Sequence, residues 1–349
     1  MMKVYIETYG CAANQAESEI MAGLLRQAGQ EIAEEEQADI VIIASCHVKK
    51  VTEQKILDRI SRIKKRLVVA GCMPEAYREK ILSVRPDASL VSTHQIHRIT
   101  EALDKRVEFL GSSGKEKACL PRIRKDKNIA IVQIADGCLG SCSYCAVRLA
   151  KGKLFSFKPS SIVKEIDHAV REGCREVWLT AQDTGAYGLD IGTSLPHLLS
   201  ILPEGNYRVR IGMMNPDHVL PILNKLIESY RDKKIMKFLH VPVQSGDDMM
   251  LRAMNRQYTV DDFKKIVDAF RNEFPNLVLW TDVIIGYPGE TPMQFKNTLD
   301  LLRQIRPNKV NISRFAKRDR TASAKLQQLP TDEMKRRTKL VSKLFKYRN

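Results

Sequence analysis

Cys138, Cys142 and Cys145 stand in a C-x3-C-x2-C spacing within the stretch DGCLGSCSYCAVR. Three thiolates in one loop can ligate three irons of a 4Fe–4S cluster. The fourth iron then keeps an open position, which a metal needs in order to bind and activate a substrate. A structural zinc loop is the plainer alternative. Zinc normally takes a fourth Cys or His at close spacing, and none follows within this loop.

Three more cysteines make a second constellation. Cys11 follows the apolar run VYIETYG, Cys46 follows DIVIIAS, and Cys72 follows LVVAG. Each is expected at the carboxyl end of a parallel strand, the edge where open α/β sheets gather ligands. A single buried cysteine would read as a core residue, whereas three in one structural position read as ligands. His47 beside Cys46 is expected at the surface and outside the ligand set. Cys119 and Cys174 have no partner ligand nearby in sequence and read as incidental.

The elements that must position these groups alternate. Strands are expected at Lys3–Thr8, Asp39–Ala44 and Leu67–Ala70, with helices at Gln15–Ala28, Val51–Lys65 and Glu75–Val84. Apolar strands separated by helices predict a doubly wound parallel sheet over residues 1–110. Residues 111–128, GSSGKEKACLPRIRKDKN, change character and read as a linker. A second series, IAIVQI, EVWLTA, RVRIGM, KFLHVPV, LVLWTDVIIG and NKVNISRF, gives six strands with helical crossovers over 129–328. That pattern predicts a partial (β/α)6 barrel with reactive groups at the carboxyl ends of its strands. Residues 329–349 read as a basic C-terminal helix.

The charge of +16, from 57 Lys and Arg against 41 Asp and Glu, favours a polyanionic partner. No apolar run approaches the roughly 18 residues that cross a bilayer, and the N-terminus lacks a secretory signal, so a cytoplasmic protein with no membrane partner is expected. Basic residues crowd both Lys49 to Arg66 and the tail, where Lys335, Arg336, Arg337, Lys339, Lys343, Lys346 and Arg348 lie. Several rim residues could contact a cofactor. Gln182 and Asp183 end EVWLTA, Gln244 and Ser245 end KFLHVPV, and Arg252 and Arg256 follow, the arginines suited to a carboxylate. Gly286 to Gly289 reads either as a tight turn that admits a cofactor adenine or as a plain loop.

The stretches YIETYGCAANQAES, LVVAGCMP, DGCLGSCSYCAVR, TAQDTGAYG, RIGMMNP, HVPVQSGDDMMLRAMNRQYT and TDVIIGYPGET resemble the methylthiotransferase family of radical S-adenosylmethionine enzymes. The resemblance runs from residue 3 to about residue 345 and is greatest to the archaeal and eukaryotic branch. It implies methylthiolation of N6-threonylcarbamoyladenosine beside the anticodon of tRNA, at adenine C2. That C–H bond is beyond acid–base side chains, so a cofactor must supply a radical. The resemblance implies S-adenosylmethionine on the Cys138/Cys142/Cys145 cluster and a second 4Fe–4S cluster on Cys11/Cys46/Cys72 that carries sulfur. It also implies an electron donor protein, and a monomer is expected.

Two departures stand out. Ala44 and Ser45 occupy the place where the family often has Asn-Thr, and the chain is expected to lack the family's RNA-binding C-terminal TRAM domain. Two other readings stay open here: methylthiolation of a ribosomal protein side chain, and a non-catalytic Fe–S RNA-binding protein.

Overall fold

Val41 and Ile43 project to one side of their strand and Ile40, Ile42 and Ala44 to the other, and all five are buried. A strand apolar on both faces belongs inside a helix-covered parallel sheet. The computed structural model, which describes residues 1–48 and 50–345, contains that sheet. Its elements are β1 (Lys3–Thr8), α1 (Ala12–Gln27), β2 (Glu31–Ile32), β3 (Ile40–Ser45), α2 (Lys50–Arg62), β4 (Arg66–Gly71), α3 (Cys72–Val84), β5 (Ser89–Ser92) and β6 (Glu108–Phe109). The strand order is β2-β1-β3-β4-β5-β6, parallel throughout.

The sheet is doubly wound. Ile20, Met21 and Leu25 of α1 pack on Val4, Ile42 and Val68, while Ile56 and Ile60 of α2 and Ile81 of α3 pack on Val41, Ile43 and Val69. Chain direction across the sheet reverses between β1 and β3. In open α/β sheets that switch point opens a crevice beyond the strand ends.

Residues 111–128 carry no helix or strand but are tied down. The Ile123 amide donates to the Glu19 carbonyl at 2.9 Å, and the Lys125 amide donates to Glu19 Oε1 at 3.1 Å. The chain continues through β7 (Ile129–Gln133), β8 (Ala135–Asp136), α4 (Val147–Lys151), β9 (Phe155–Ser156), α5 (Pro159–Arg171) and β10 (Glu176–Thr180). β7 and β10 pair in parallel, with Ile131 opposite Trp178.

Met1–Cys138, Ala146–Ala181 and Pro203–Tyr207 form one compact unit; Leu139–Cys145, Gln182–Leu202 and Arg208–Asn349 form another. The second unit holds α6 (Leu195–Ser200), β11 (Arg208–Ile211), α7 (Pro216–Val219), α8 (Leu223–Tyr230), β12 (Phe238–His240), α9 (Asp248–Ala253), α10 (Val260–Glu273), β13 (Val278–Ile285), α11 (Pro292–Ile305), β14 (Lys309–Arg314) and α12 (Thr331–Phe345). β12, β13 and β14 form a parallel sheet in that order. Capping boxes start both crossover helices, Thr259 with Asp262 on α10 and Thr291 with Gln294 on α11. The fold class read from the sequence, a doubly wound domain followed by a parallel β/α series, is the one found. No helix among the described residues is long and apolar enough to cross a membrane.

Candidate functional site

The sheet delivers the N-terminal cysteines to the carboxyl ends of β1, β3 and β4, at and beside its switch point. Cys46 directly follows β3, Cys72 directly follows β4 as the first residue of α3, and Cys11 lies at the N-cap of α1. Asn14, fully buried one turn into α1, joins the three loops. Its Oδ1 accepts from the thiols of Cys11 at 3.8 Å and Cys72 at 3.7 Å. Its Nδ2 donates to the carbonyls of Tyr9 at 2.9 Å and of Ser45, the residue before Cys46, at 2.8 Å. Gly10 (φ +106°) allows the close approach: a Cβ there would stand 2.7 Å from Cys46 Cβ and 2.9 Å from its Sγ. Glycine alone meets both demands. Sequence reading found the cysteines and missed Asn14, whose signal was its place three residues after Cys11, on the same helix face.

The donor set of this site fits a metal cluster. Burial pushes the Cys72 thiol well up, Lys151 pulls it back, and the neighbouring Cys11 and Cys46 push it up further. Iron binds thiolates and supplies positive charge beside them, so a buried thiol such as Cys72 suits a cluster ligand. Among the described residues no three His, Cys, Asp or Glu side chains gather as ligands of one ion. Thiolates that each bind a different iron of a cluster need not do so.

His47 departs from the surface position expected for it. It is fully buried, and its Nε2 lies 2.9 Å from the Ala146 carbonyl, one residue past Cys145. A polar ring so deep is retained by that bond. The Cys119 and Cys174 thiols donate to the backbone carbonyls of Ser161 and Lys127, both at 3.4 Å.

Beside the N-terminal triad lies a charge cluster that sequence reading did not anticipate. Lys151 Nζ is 2.6 Å from Glu17 Oε1 and 2.5 Å from Thr93 Oγ1, and Lys117 Nζ is 2.7 Å from both Glu17 Oε1 and Asp136 Oδ2. All are buried. Burial alone would raise the Glu17 carboxyl, but the two lysines bring it down to about 2; Asp136 is lowered for the same reason. Lys117 comes from the segment read as a linker, so its alternation of charge with small residues hid a buried anchor.

The second cysteine loop has a narrow neck in the first unit. The Cys138 amide donates to the Gly152 carbonyl at 3.3 Å. A Cβ on Gly137 (φ +75°) would fall 1.8 Å from the Lys153 carbonyl oxygen, so no other residue fits. In the second unit, the stretch between α9 and α10 moors the rest of the loop. The Ser143 amide donates to the Met254 carbonyl at 3.0 Å, and Asn255 Nδ2 donates to the Ser141 carbonyl at 2.8 Å. Tyr144 packs with Met250, Met254, Ile284, Tyr287 and Phe315.

The cofactor candidates fall into distinct environments. Arg256 is buried; its Nη1 donates to Cys142 Sγ at 3.0 Å, its Nε to Tyr258 Oη at 2.9 Å, and its Nη2 to Asn215 Oδ1. Asp183 is saturated, accepting from the amides of Gly185 and Asn215, from Asn215 Nδ2 at 2.9 Å and from His218 Nδ1 at 2.5 Å. Burial would lower the His218 pKa, and Asp183 raises it overall. Gln182 has a buried Oε1 with no partner among the described residues. Gln244 takes a left-handed conformation (φ +69°), with its amide bonded to the Asp282 carbonyl at 2.8 Å. Arg252 is exposed, Ser245 is buried with its hydroxyl 3.4 Å from that of Thr298, and Gly286 (φ +74°) opens the turn expected there.

The basic tail is only partly available. Arg337 is buried and pairs with Glu290 at 2.7 Å, so it holds α12 rather than facing solvent. Lys335, Arg336, Lys339 and Lys343 are exposed, while Lys49, Lys346 and Arg348 lie outside the described residues.

Residues 3–93 match the family described as "Uncharacterized protein family UPF0004", and residues 132–302 match the Radical SAM superfamily. A probable threonylcarbamoyladenosine tRNA methylthiotransferase of Pyrococcus horikoshii is 45% identical over 358 residues, covering 99% of this chain and 84% of that protein. The chain belongs to the threonylcarbamoyladenosine tRNA methylthiotransferase family. The member from Danio rerio is 37% identical and matches 99% of this chain over 66% of its own length. The radical S-adenosylmethionine methyltransferase TsrM of Kitasatospora setae shares the fold, with a TM-score of 0.66 over 93% of this chain and 77% of that one at 13% identity. The protein is thus an enzyme, a transferase of the radical S-adenosylmethionine class, and that class implies a 4Fe–4S cluster and S-adenosylmethionine.

Proposed function

We propose that this enzyme converts N6-threonylcarbamoyladenosine next to the anticodon of tRNA to its 2-methylthio derivative, using two 4Fe–4S clusters. The observation that carries the two-cluster reading is the meeting of Cys11 and Cys72 on Asn14 Oδ1, with Cys46 against Gly10. In this reading residues 1–110 hold the auxiliary site, 111–128 connect it, 129–328 are the radical S-adenosylmethionine domain, and 329–349 are a basic helix. Cys11, Cys46 and Cys72 would hold one cluster, and Cys138, Cys142 and Cys145 the other. Once bound there, a cluster with an open iron would supply one-electron chemistry to S-adenosylmethionine.

The chain's own residues then bind and orient. Gln182, whose Oε1 lacks a partner among the described residues, offers an acceptor to the cofactor's amino group. Gln244 and Arg252 are proposed to complete the cofactor rim. Asp183 is proposed to support that rim by holding Asn215. Exposed lysines on α2 and α12 would hold tRNA phosphates, placing an unstacked loop base for reaction. The enzyme is proposed to act as a cytoplasmic monomer fed by an electron donor protein.

The test is anaerobic reconstitution with iron, sulfide, reductant and S-adenosylmethionine, then nucleoside analysis of tRNA carrying threonylcarbamoyladenosine. A methylthio product on that nucleoside is expected. Product on a ribosomal protein and never on tRNA, or cluster assembly without any cofactor cleavage, would overturn the reading.

A further inference from the structure

Arg256 is a buried cation with no acidic partner: its three hydrogen bonds go to Tyr258 Oη, the Asn215 carboxamide and the Cys142 thiol, and it forms no ion pair among the described residues. Burying a guanidinium among neutral groups is costly, and such charges are normally matched by an anion. Of its three partners, Cys142 is the one that becomes an anion, and it does so on ligating iron. The Nη1 to Sγ distance of 3.0 Å is already a hydrogen-bond distance.

We infer that Arg256 is a tuning residue for the cluster held by Cys142, donating a charge-assisted N–H···S bond that stabilises its reduced form. This rests on the reading that Cys142 is an iron ligand. Hydrogen bonds to cluster sulfurs and nearby positive charge set Fe–S potentials, because reduction adds negative charge that they offset. The neighbours make this bond rigid. Asn215 Oδ1 accepts from Nη2, Asn215 Nδ2 donates to Asp183, and Asp183 accepts from His218, so the guanidinium is fixed in direction by a continuous chain within one unit. Tyr258 Oη donates to the carbonyls of Pro242 at 3.0 Å and Val243 at 2.9 Å, which fixes the other edge. The sequence reading placed Arg256 on a cofactor carboxylate; three of its five N–H groups are engaged inside the protein, and the bond to Cys142 is the role inferred from this geometry.

The experiment is a redox titration followed by electron paramagnetic resonance on the reconstituted full chain, comparing wild type with Arg256→Lys and Arg256→Gln. The signal followed is the reduced cluster whose spectrum responds to added S-adenosylmethionine. At a fixed potential, Arg256→Gln should lower the reduced-to-oxidised ratio of that cluster at least tenfold, about 59 mV for one electron. Arg256→Lys, which keeps charge but loses the fork, should fall between. Iron content guards against a folding defect, and Tyr258→Phe, which keeps the Cys142 bond but frees the other edge of the guanidinium, should lower the ratio less than Arg256→Gln does. Equal ratios in wild type and Arg256→Gln at equal iron content would overturn the inference while leaving the cluster reading intact. A wild-type chain with no signal responsive to S-adenosylmethionine would instead overturn the cluster reading.

Discussion

Lys151 Nζ and Glu17 Oε1 meet at 2.6 Å in the interior of the first unit, joining α4, the helix that follows the second cysteine loop, to α1, the helix that carries Asn14. Removing one partner of a buried pair strands the other charge, which typically costs about 3–5 kcal/mol. Lys151→Met should therefore destabilise the protein by roughly that amount in urea unfolding. A loss under about 1 kcal/mol, the range of an exposed pair, would show that this cluster is solvated and not a lock.

The same cluster sets an acid limit. Glu17 is held at about 2, against an ordinary carboxyl near 4.5, after the two lysines overcome the opposing effect of burial. A carboxyl depressed on folding stabilises the protein above its unfolded value, and that contribution disappears as pH falls toward the folded one. Stability should drop progressively below about pH 4.5, and Glu17→Gln should flatten that slope while lowering stability at pH 7. Identical acid unfolding curves for both proteins would contradict the assignment.

Asn14 is expected to matter without being a ligand. Asn14→Ala removes the bonds to Tyr9 and Ser45 that set the spacing of the cysteine loops. Iron content should fall by about four per chain, as for Cys46→Ala, while release of 5′-deoxyadenosine from S-adenosylmethionine continues. Unchanged iron in Asn14→Ala, or loss of cofactor cleavage along with it, would show that the residue does not serve the auxiliary site alone.

The sequence showed the cysteines because strand-end placement follows directly from apolar runs, and Cys46 and Cys72 stand where DIVIIAS and LVVAG place them. It did not show what surrounds them. His47 follows Cys46 in the chain but is buried because Ala146, ninety-nine residues on, supplies its bond. Lys117 and Arg337 looked like solvated charges because their partners, Glu17 and Glu290, are distant in sequence. Short β2, β5 and β6 escaped notice because too few residues alternate to give a period. Long-range polar pairing leaves little local pattern, and most of what sequence reasoning missed is of that kind.

Binding to tRNA should be salt-dependent, since Lys50, Lys55, Lys339 and Lys343 are exposed cations suited to phosphates. Reversing Lys50, Lys55, Lys339 and Lys343 to Glu together should weaken tRNA binding by roughly tenfold or more and reduce the slope of affinity against salt. Filter binding at low and moderate salt measures both. A quadruple variant with unaltered affinity would place the RNA elsewhere.

Counting clusters tests the account most directly. Iron and acid-labile sulfide are measured after anaerobic reconstitution of three chains: wild type, Cys11/Cys46/Cys72→Ala, and Cys138/Cys142/Cys145→Ala, each then assayed for 5′-deoxyadenosine. The account predicts about eight irons in the wild type and about four in each variant, with cofactor cleavage kept by the first variant and absent from the second. A wild-type chain that never exceeds about four irons, or a Cys138/Cys142/Cys145→Ala chain that still cleaves S-adenosylmethionine, would contradict it.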